Sequence, residues 1–461
     1  MKLDVKELFL KLDEVMNKEI ILEGWVKNHR KQKTIGFIEF NDGTCQKSIQ
    51  IVYDDANANF EDITKIKIGS ALRVNGIVRT SAGNGQDFEI GLKSVEVLGD
   101  CTDDFPMQPK RHTREFLREQ AYLRPRTNLF RAVFRIRSVA ALAIHSYFEE
   151  NNYVYFNSPI ITGDDCEGSG QMFKITTLDM NNLPLNEDKT VDFSKDIFNE
   201  LTYVTGTGQL HGEAFAMAFK KIYTFGPTFR SEHSNTKTHA NEFWMIEPEI
   251  AFCDLEGLMN IEEELLKYVI KYVMDRCKDE LELCDKFVEN GLIDKLNNVL
   301  NSSFVRITHK EAIDLLKKAD VKWEFEPAYG EDIAKEHEKY ITEYYNCPVF
   351  ITTWPKDIKA FYMKVNEDGE TVAAVDLEVP GSGELMGGSQ REEDYDKIIQ
   401  RMKEMNIPLD DLDWYTKLRL YGGCYHSGFG LGFERLIMYL TGIDNIRDVI
   451  PFPRTPGKID Y

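Results

Sequence analysis

Between residues 20 and 100 the chain carries five short apolar or alternating runs, IILEGWV, GFIEF, SIQIVY, ALRVNGIV and DFEIGLKSVEVL, each closed by a turn. Five strands in about 80 residues predict a small closed β-barrel, because closure is what removes unpaired strand edges, and the oligonucleotide-binding (OB) fold is the commonest such barrel. Alternation places its outer surface. In IGFIEF, Ile38 and Phe40 share one face and leave Phe37 with Glu39 on the other; in SIQIVY, Ile49 and Ile51 face in and Gln50 faces out. An outward aromatic ring and an outward amide suit stacking on, and hydrogen bonding to, unpaired bases, although a ring such as Phe37 can equally pack beneath a loop.

A second constraint lies at Arg230-Ser231-Glu232, followed after a polar loop by Glu242-Phe243-Trp244. The pattern predicts a hairpin, with Arg230 and Glu232 on one face and with Phe243, Met245, Glu247 and Glu249 sharing a face of the return strand. Such a face can hold a nucleotide: arginine grips phosphate, a carboxylate accepts from an exocyclic amine, and an aromatic ring covers a purine. A structural hairpin with an exposed ion pair is the competing reading. Downstream, Gly428-Phe429-Gly430-Leu431-Gly432-Phe433-Glu434-Arg435 is expected to open a helical segment running through Leu440, its glycines letting backbone pass close to a ligand. Upstream, Leu123-Arg124-Pro125-Arg126 leads into a long helix and then into Phe156-Asn157-Ser158-Pro159-Ile160, expected as a Pro-bearing strand.

The 461 residues predict two to three domains. Residues 1–100 form the barrel domain, 101–125 a Pro-rich and charged hinge, and 126–461 an α+β domain, since long helices alternate with strands that do not repeat as βαβ units. A helical insertion is expected at about 275–345. Leu258, Ile261, Leu265, Val269, Val273 and Cys277 mark an amphipathic core helix, and Thr308-His309-Lys310-Glu311 has the form of a capping box. There is no G-x-x-x-x-G-K-[ST] and no strand-borne G-x-G-x-x-G, which disfavours P-loop and Rossmann nucleotide binding.

No apolar run approaches the roughly 20 residues that span a bilayer, and the N-terminal segment is amphipathic and acidic rather than signal-like, so no membrane association and a cytoplasmic location are expected. Eight cysteines are scattered without a C-x-x-C pair or metal spacing, so no zinc is expected. The net charge of −21 opposes polyanion binding at long range, which directs attention to two basic clusters: Lys27, His29, Arg30, Lys31 and Lys33, and Lys110, Arg111, His112, Arg114 and Arg118.

The three separated segments, with the strings IYTFGPTFRSEHSNT, EFWMIEPE, MGGSQRE, HSGFGLGFERL and RDVIPFPRTP, resemble the signature motifs of class II aminoacyl-tRNA synthetases. Over essentially the whole chain the resemblance is to the bacterial-type asparaginyl enzymes of the aspartyl/asparaginyl/lysyl subgroup. It implies an OB-fold anticodon-binding domain followed by a class II catalytic domain, an antiparallel sheet flanked by helices. It also implies an asparagine–tRNA ligase that uses ATP, Mg2+, L-asparagine and tRNA(Asn), passes through asparaginyl-AMP and releases AMP and pyrophosphate. Such chemistry needs phosphate neutralisation and in-line alignment but no protein nucleophile, in keeping with the absence of a G-x-S-x-G elbow.

By resemblance, Arg230 grips the α-phosphate and the incoming carboxylate, Glu232 and Phe243 hold adenine, and Arg435 faces the γ-phosphate. His239 aligns with a phosphate-side histidine or is a solvated loop residue. Glu384 and Asp376 match the magnesium carboxylates, with Glu378 a rival to Asp376. Glu167 and Gln209 match ammonium-binding positions, and Arg391 would donate to the side-chain carbonyl of asparagine. Where aspartyl enzymes have Q-L-x-K, this chain has Gln209-Leu210-His211-Gly212 followed by Glu213, which removes a cation and adds a carboxylate and so favours asparagine over aspartate. Arg391 and Glu213 should lie near each other, as selecting groups or as a structural ion pair. Arg30, Phe37 and Gln50 align with anticodon contacts, and Pro159 with the motif 1 proline of a two-fold homodimer. An aspartyl enzyme and a paralogue without catalysis or without RNA function are the alternatives.

Overall fold

The computed structural model describes residues 1–461 except 84–85 and 164–171. It contains two compact units, Met1–Phe134 and Arg135–Tyr461.

In the first unit β1 (Glu19–Lys31), β2 (Ile35–Asn41), β3 (Ile49–Asp54), β4 (Ala71–Thr80) and β5 (Phe88–Gly99) close into a barrel in the order β1-β2-β3-β5-β4. The long β1 pairs antiparallel with both β2 and β4, and a parallel β3/β5 contact completes the ring. The expected alternation is realised: Ile38, Phe40, Ile49 and Ile51 join Ile20, Leu22, Val74 and Ile90 in the core, while Phe37 and Gln50 stay partly exposed. The short helix Val5–Leu10 contributes Val5 and Leu8 to the same core. One member of the first basic cluster departs from expectation. His29 turns away from solvent, with Nδ1 2.8 Å from the Ile66 carbonyl and Nε2 2.8 Å from the Tyr53 hydroxyl, and burial pushes its imidazole pKa down.

Helix α1 (Asn128–Glu150) precedes β6 (Val154–Tyr155), and β7 (Ile161–Thr162), β8 (Lys174–Ile175) and β9 (Thr202–Val204) form a small sheet. Helix α2 (Gln209–Phe219) leads into β10 (Lys221–Phe229), β11 (Glu242–Ala251) and helix α3 (Leu255–Arg276). Then come β12 (Val305–Thr308), α4 (His309–Lys318), β13 (Val349–Pro355), β14 (Thr371–Val379), β15 (Gly383–Gln390), α5 (Asp413–Lys417), β16 (His426–Gly432) and α6 (Phe433–Thr441).

Eight strands form one sheet in the order β12-β13-β14-β15-β16-β11-β10-β6. Its six central strands are antiparallel, and one parallel neighbour stands at each edge. Helix α3 lays Leu258, Leu265, Val269 and Val273 against one face, packing on β14, β15 and β16. The Thr308 capping box forms at the start of α4, Thr308 accepting from Glu311 N–H while the Glu311 carboxylate accepts from Thr308 N–H. Residues 275–345 fold as helices interrupted by β12.

Three local expectations are corrected. The glycine run 428–432 is not the start of a helix but strand β16, because its alternate residues Phe429 and Leu431 bury into the sheet core. The first hairpin strand stops at Phe229, so Arg230 and Glu232 sit at the mouth of the loop, where the Asn241 amide donates to both of their carbonyls. Pro159 lies in the connection between β6 and β7 rather than in a strand.

Candidate active site

The face of the sheet opposite α3 presents Phe243, Met245, Glu247 and Glu249 of β11 beside the glycines of β16. Glycine is required here by close approach. A Cβ on Gly428 would fall 2.2 Å from the Glu249 carboxylate, and one on Gly430 would fall 2.8 Å from the Met245 methyl. The strand thus offers bare backbone as the floor of a cleft.

All six residues assigned to ATP line that cleft: Arg230, Glu232, His239, Phe243, Glu384 and Arg435. The Arg230 guanidinium lies 5.6 Å from the centroid of the Phe243 ring. Arg435 projects from the first turn of α6 and donates weakly to Glu384, 3.3 Å from both its carbonyl and its carboxylate. Glu434 anchors that turn, accepting from Arg137 at 2.7 Å and from Trp244 N–H at 2.9 Å. Burial pushes the His239 imidazole down, Glu232 opposes this, and Arg435, Lys335 and Arg230 add to it. His239 is thus half-buried at the cleft, within electrostatic reach of Glu232, Arg435, Lys335 and Arg230.

The carboxylates of β14 and β15 divide by environment. A Cβ on Gly387 would meet Glu384 Oε1 at 3.1 Å and Asp376 Oδ1 at 3.3 Å, so the bare glycine leaves both oxygens bordering one open space. Asp376 accepts from Lys359 at 2.6 Å; burial pushes its carboxyl up, Lys359 pulls down, Glu384 pushes up, and the balance lies at about 6. Glu378 is fully buried and pushed well up by burial and by Glu338, Glu384 and Asp376. Hard oxygen donors at Glu384 and Asp376 fit a magnesium ion, which these two carboxylates would hold only with further ligands from outside the chain. Among the described residues no group of three or more His, Cys, Asp or Glu is placed to hold a metal without such help.

Beside the cleft is a second, buried wall. Gln209, the first residue of α2, donates to Glu213 at 3.1 Å one turn later. Arg391 Nε lies 3.9 Å from Glu213, so the expected pair is near, but the hydrogen bonds of Arg391 go elsewhere. It donates to Glu249 through Nη2 at 2.5 Å and Nε at 3.2 Å, and to Ser389 Oγ at 2.8 Å. Burial drives the Glu249 carboxyl up to about 7 against the pull of Arg391 and with the push of Glu213. Burial also pushes Glu213 up, but Arg419, His426 and Arg391 together hold it well below the usual carboxylate range. Glu213 further accepts from Tyr415 and Arg419, and His426 Nε2 lies 2.8 Å from its Oε2. Glu249, Tyr415, Arg419 and His426 are the members of this wall to which sequence alone gave no role. Only His426, inside HSGFGLGFERL, and Glu249, on the same face as Phe243, carried any signal. Glu167 lies outside the described residues.

In the barrel unit Arg30, Phe37 and Gln50 line one shallow pocket with Asn28, Glu39 and Gln86, and the Arg30 guanidinium stands 5.9 Å from the Phe37 ring centroid.

Residues 113–456 match the family model of tRNA synthetases class II (D, K and N), and residues 20–98 match that of the OB-fold nucleic acid binding domain. The chain is 56% identical over 461 residues, 100% of both chains, to the asparagine–tRNA ligase of Acholeplasma laidlawii. It is 54% identical over 459 residues, 99% of both, to the asparagine–tRNA ligase of Acetivibrio thermocellus. Among solved structures it resembles asparaginyl-tRNA synthetase from Pyrococcus horikoshii complexed with asparaginyl-adenylate, with a TM-score of 0.85 and 31% identity over 100% of this chain and 99% of that one. The match spans the cleft, the buried wall and the barrel alike, and the chain belongs to the class II tRNA synthetases of the D, K and N family.

Proposed function

We propose that this chain activates L-asparagine with ATP to asparaginyl-AMP and transfers the asparaginyl group to tRNA(Asn), releasing AMP and pyrophosphate. The observation that carries the activation step is the gathering of Arg230, Glu232, His239, Phe243, Glu384 and Arg435 around one cleft beside a buried wall of Gln209, Glu213 and Arg391. Phe243 stacks on adenine and Glu232 accepts from its exocyclic amine. Arg230 orients the α-phosphate against the incoming carboxylate, and Arg435 neutralises the far phosphate. An asparagine carboxylate oxygen attacks the α-phosphorus in line and the bond to pyrophosphate breaks; a ribose hydroxyl of the tRNA end then takes the acyl carbon and AMP departs. Magnesium held by Glu384 and Asp376 would offset charge on the outer phosphates.

Asparagine is favoured because Gly212 brings no cation to the wall, and the Arg391 charge is already met by Glu249. Arg391 therefore offers N–H donors to a side-chain carbonyl without a net pull on a carboxylate. Glu167 and Gln209 are assigned to the α-ammonium.

Residues 1–100 serve as the anticodon domain through Arg30, Phe37 and Gln50, 101–125 as the hinge, and 126–461 as the catalytic domain. A two-fold homodimer through the Pro159 segment is supported by apolar side chains beside it, Val154, Tyr155, Ile160, Ile161 and Phe215, left 40–45% exposed. No helix among the described residues is long and apolar enough to cross a membrane, and the assigned reaction belongs in the cytoplasm. The test is ATP/pyrophosphate exchange with asparagine and aspartate in parallel: exchange with asparagine alone is expected, exchange with aspartate refutes the assigned selectivity, and exchange with neither refutes the activity.

A further inference from the structure

The Glu213 carboxylate is fully buried, and its two oxygens are crowded with donors. Oε1 accepts from Gln209 Nε2 at 3.1 Å and from the Tyr415 hydroxyl at 2.8 Å; Oε2 accepts from Arg419 Nη2 at 2.9 Å and faces His426 Nε2 at 2.8 Å. A carboxylate has about four lone-pair sites, and Gln209, Tyr415 and Arg419 take most of them. Tyr415 and Arg419 are also tied to each other, Arg419 donating to the Tyr415 hydroxyl at 2.9 Å, and Arg419 is pinned by the Tyr415 and Glu392 carbonyls at 3.1 and 2.9 Å. They come from α5 and the turn after it, an element that contributes nothing to the ATP cleft.

We propose that Tyr415 and Arg419 are positioning residues for amino-acid selection, holding Glu213 as an acceptor-only carboxylate that fixes Gln209 and refuses aspartate. Because an ionised carboxylate can only accept, Gln209 must turn its NH2 to Glu213, which leaves its carbonyl oxygen for the α-ammonium. Because Glu213 holds no proton, the wall has no carboxyl O–H to give an aspartate side chain. The groups that face Glu213 are Gln209 from its own helix, Tyr415 and Arg419, His426 from β16, and Arg391 from β15 with Glu249 behind it. Without Tyr415 or Arg419 the buried carboxyl takes up a proton as pH falls and becomes a donor that aspartate can use. This inference rests on the proposed function.

The experiment is ATP/pyrophosphate exchange by full-length Tyr415→Phe, Arg419→Gln and Arg419→Lys, with asparagine and with aspartate, from about pH 6 to about pH 8. Tyr415→Phe keeps the ring and removes one donor to a charged group, so the KM for asparagine is expected to rise roughly tenfold while the KM for ATP stays put. The asparagine-to-aspartate ratio of kcat/KM is expected to fall in Tyr415→Phe and Arg419→Gln, most at the acid end, and to recover in Arg419→Lys, which keeps the charge. A ratio that matches the parent at every pH, with only a lowered melting temperature, makes these residues structural and overturns the inference. Absence of asparagine-dependent exchange in the parent is a separate result and overturns the proposed function itself.

Discussion

Replacing Arg391 with methionine tests whether the wall is held by charge. The side chain is 3% exposed, makes two hydrogen bonds to the fully buried Glu249 and one to Ser389, and stands 3.9 Å from Glu213. Arg391→Met leaves Glu249 in low dielectric without its cation, a loss of about 3–5 kcal/mol. The sign with pH follows from Glu249. Burial pushes its carboxyl up to about 7, above the usual carboxylate range, and outweighs the pull of Arg391. Removing Arg391 raises it further, so the folded state binds more protons than the unfolded chain over that interval, and the deficit grows as pH rises through it. Adding Glu249→Met should recover most of the stability, since a buried pair replaced as a pair by apolar groups is often neutral. Urea unfolding followed by tryptophan fluorescence is the assay. Four of the five tryptophans, 244, 323, 354 and 414, belong to the second unit and report on it. A single-variant loss below about 1 kcal/mol, or a deficit that shrinks as pH rises, refutes the role of Arg391 as the charge that holds this wall together.

Three further outcomes are expected. Burial pushes the Asp376 carboxyl up to about 6 despite Lys359, so a proton competes with metal for it, and the magnesium concentration that half-saturates exchange should rise as pH falls through that value. A magnesium titration insensitive to pH, or one unchanged by Asp376→Asn, removes Asp376 from the site. Phe37→Ala should raise the KM for tRNA roughly tenfold through lost stacking while leaving asparagine-dependent exchange intact, and unchanged charging kinetics would count against the barrel assignment. Thr308→Ala should cost about 1 kcal/mol by removing the α4 cap without altering exchange, as a thermal melt and the exchange assay would show together.

The barrel and the β11 floor of the cleft were legible for the same reason, period-two alternation within single strands, whereas Arg230, Glu232, His239 and Arg435 lie off the strands and came only with recognisable strings. Phe37, Gln50, Phe243 and Met245 went to the expected faces. Misread elements involved glycine and proline. The 428–432 run looks like a helix-opening turn because glycine carries no periodic signal, yet Phe429 and Leu431 were available as an alternating pair and they decide the strand. The buried wall was half legible. Gln209, Glu213 and Arg391 came with recognisable strings, but Tyr415 and Arg419 lie about 200 residues from Glu213 in sequence, on a five-residue helix and the turn after it, without a motif. Side-chain networks closed over such separations are set by tertiary packing, which no local period reports.

A net charge of −21 is an obstacle to binding a polyanion only if it is spread evenly, and it is not. Residues 1–134 carry 21 Lys and Arg against 20 Asp and Glu, whereas residues 135–461 carry 35 against 57. Within the first unit Arg30, Lys31, Lys33, Lys110 and Arg111 are exposed, while many of its acids are spent on internal pairs such as Glu23 and Glu96 with Arg73, and Glu19 with Lys93. At physiological ionic strength a charge is felt over about 8 Å, so the local balance of a surface, rather than the net charge of the chain, decides what it attracts.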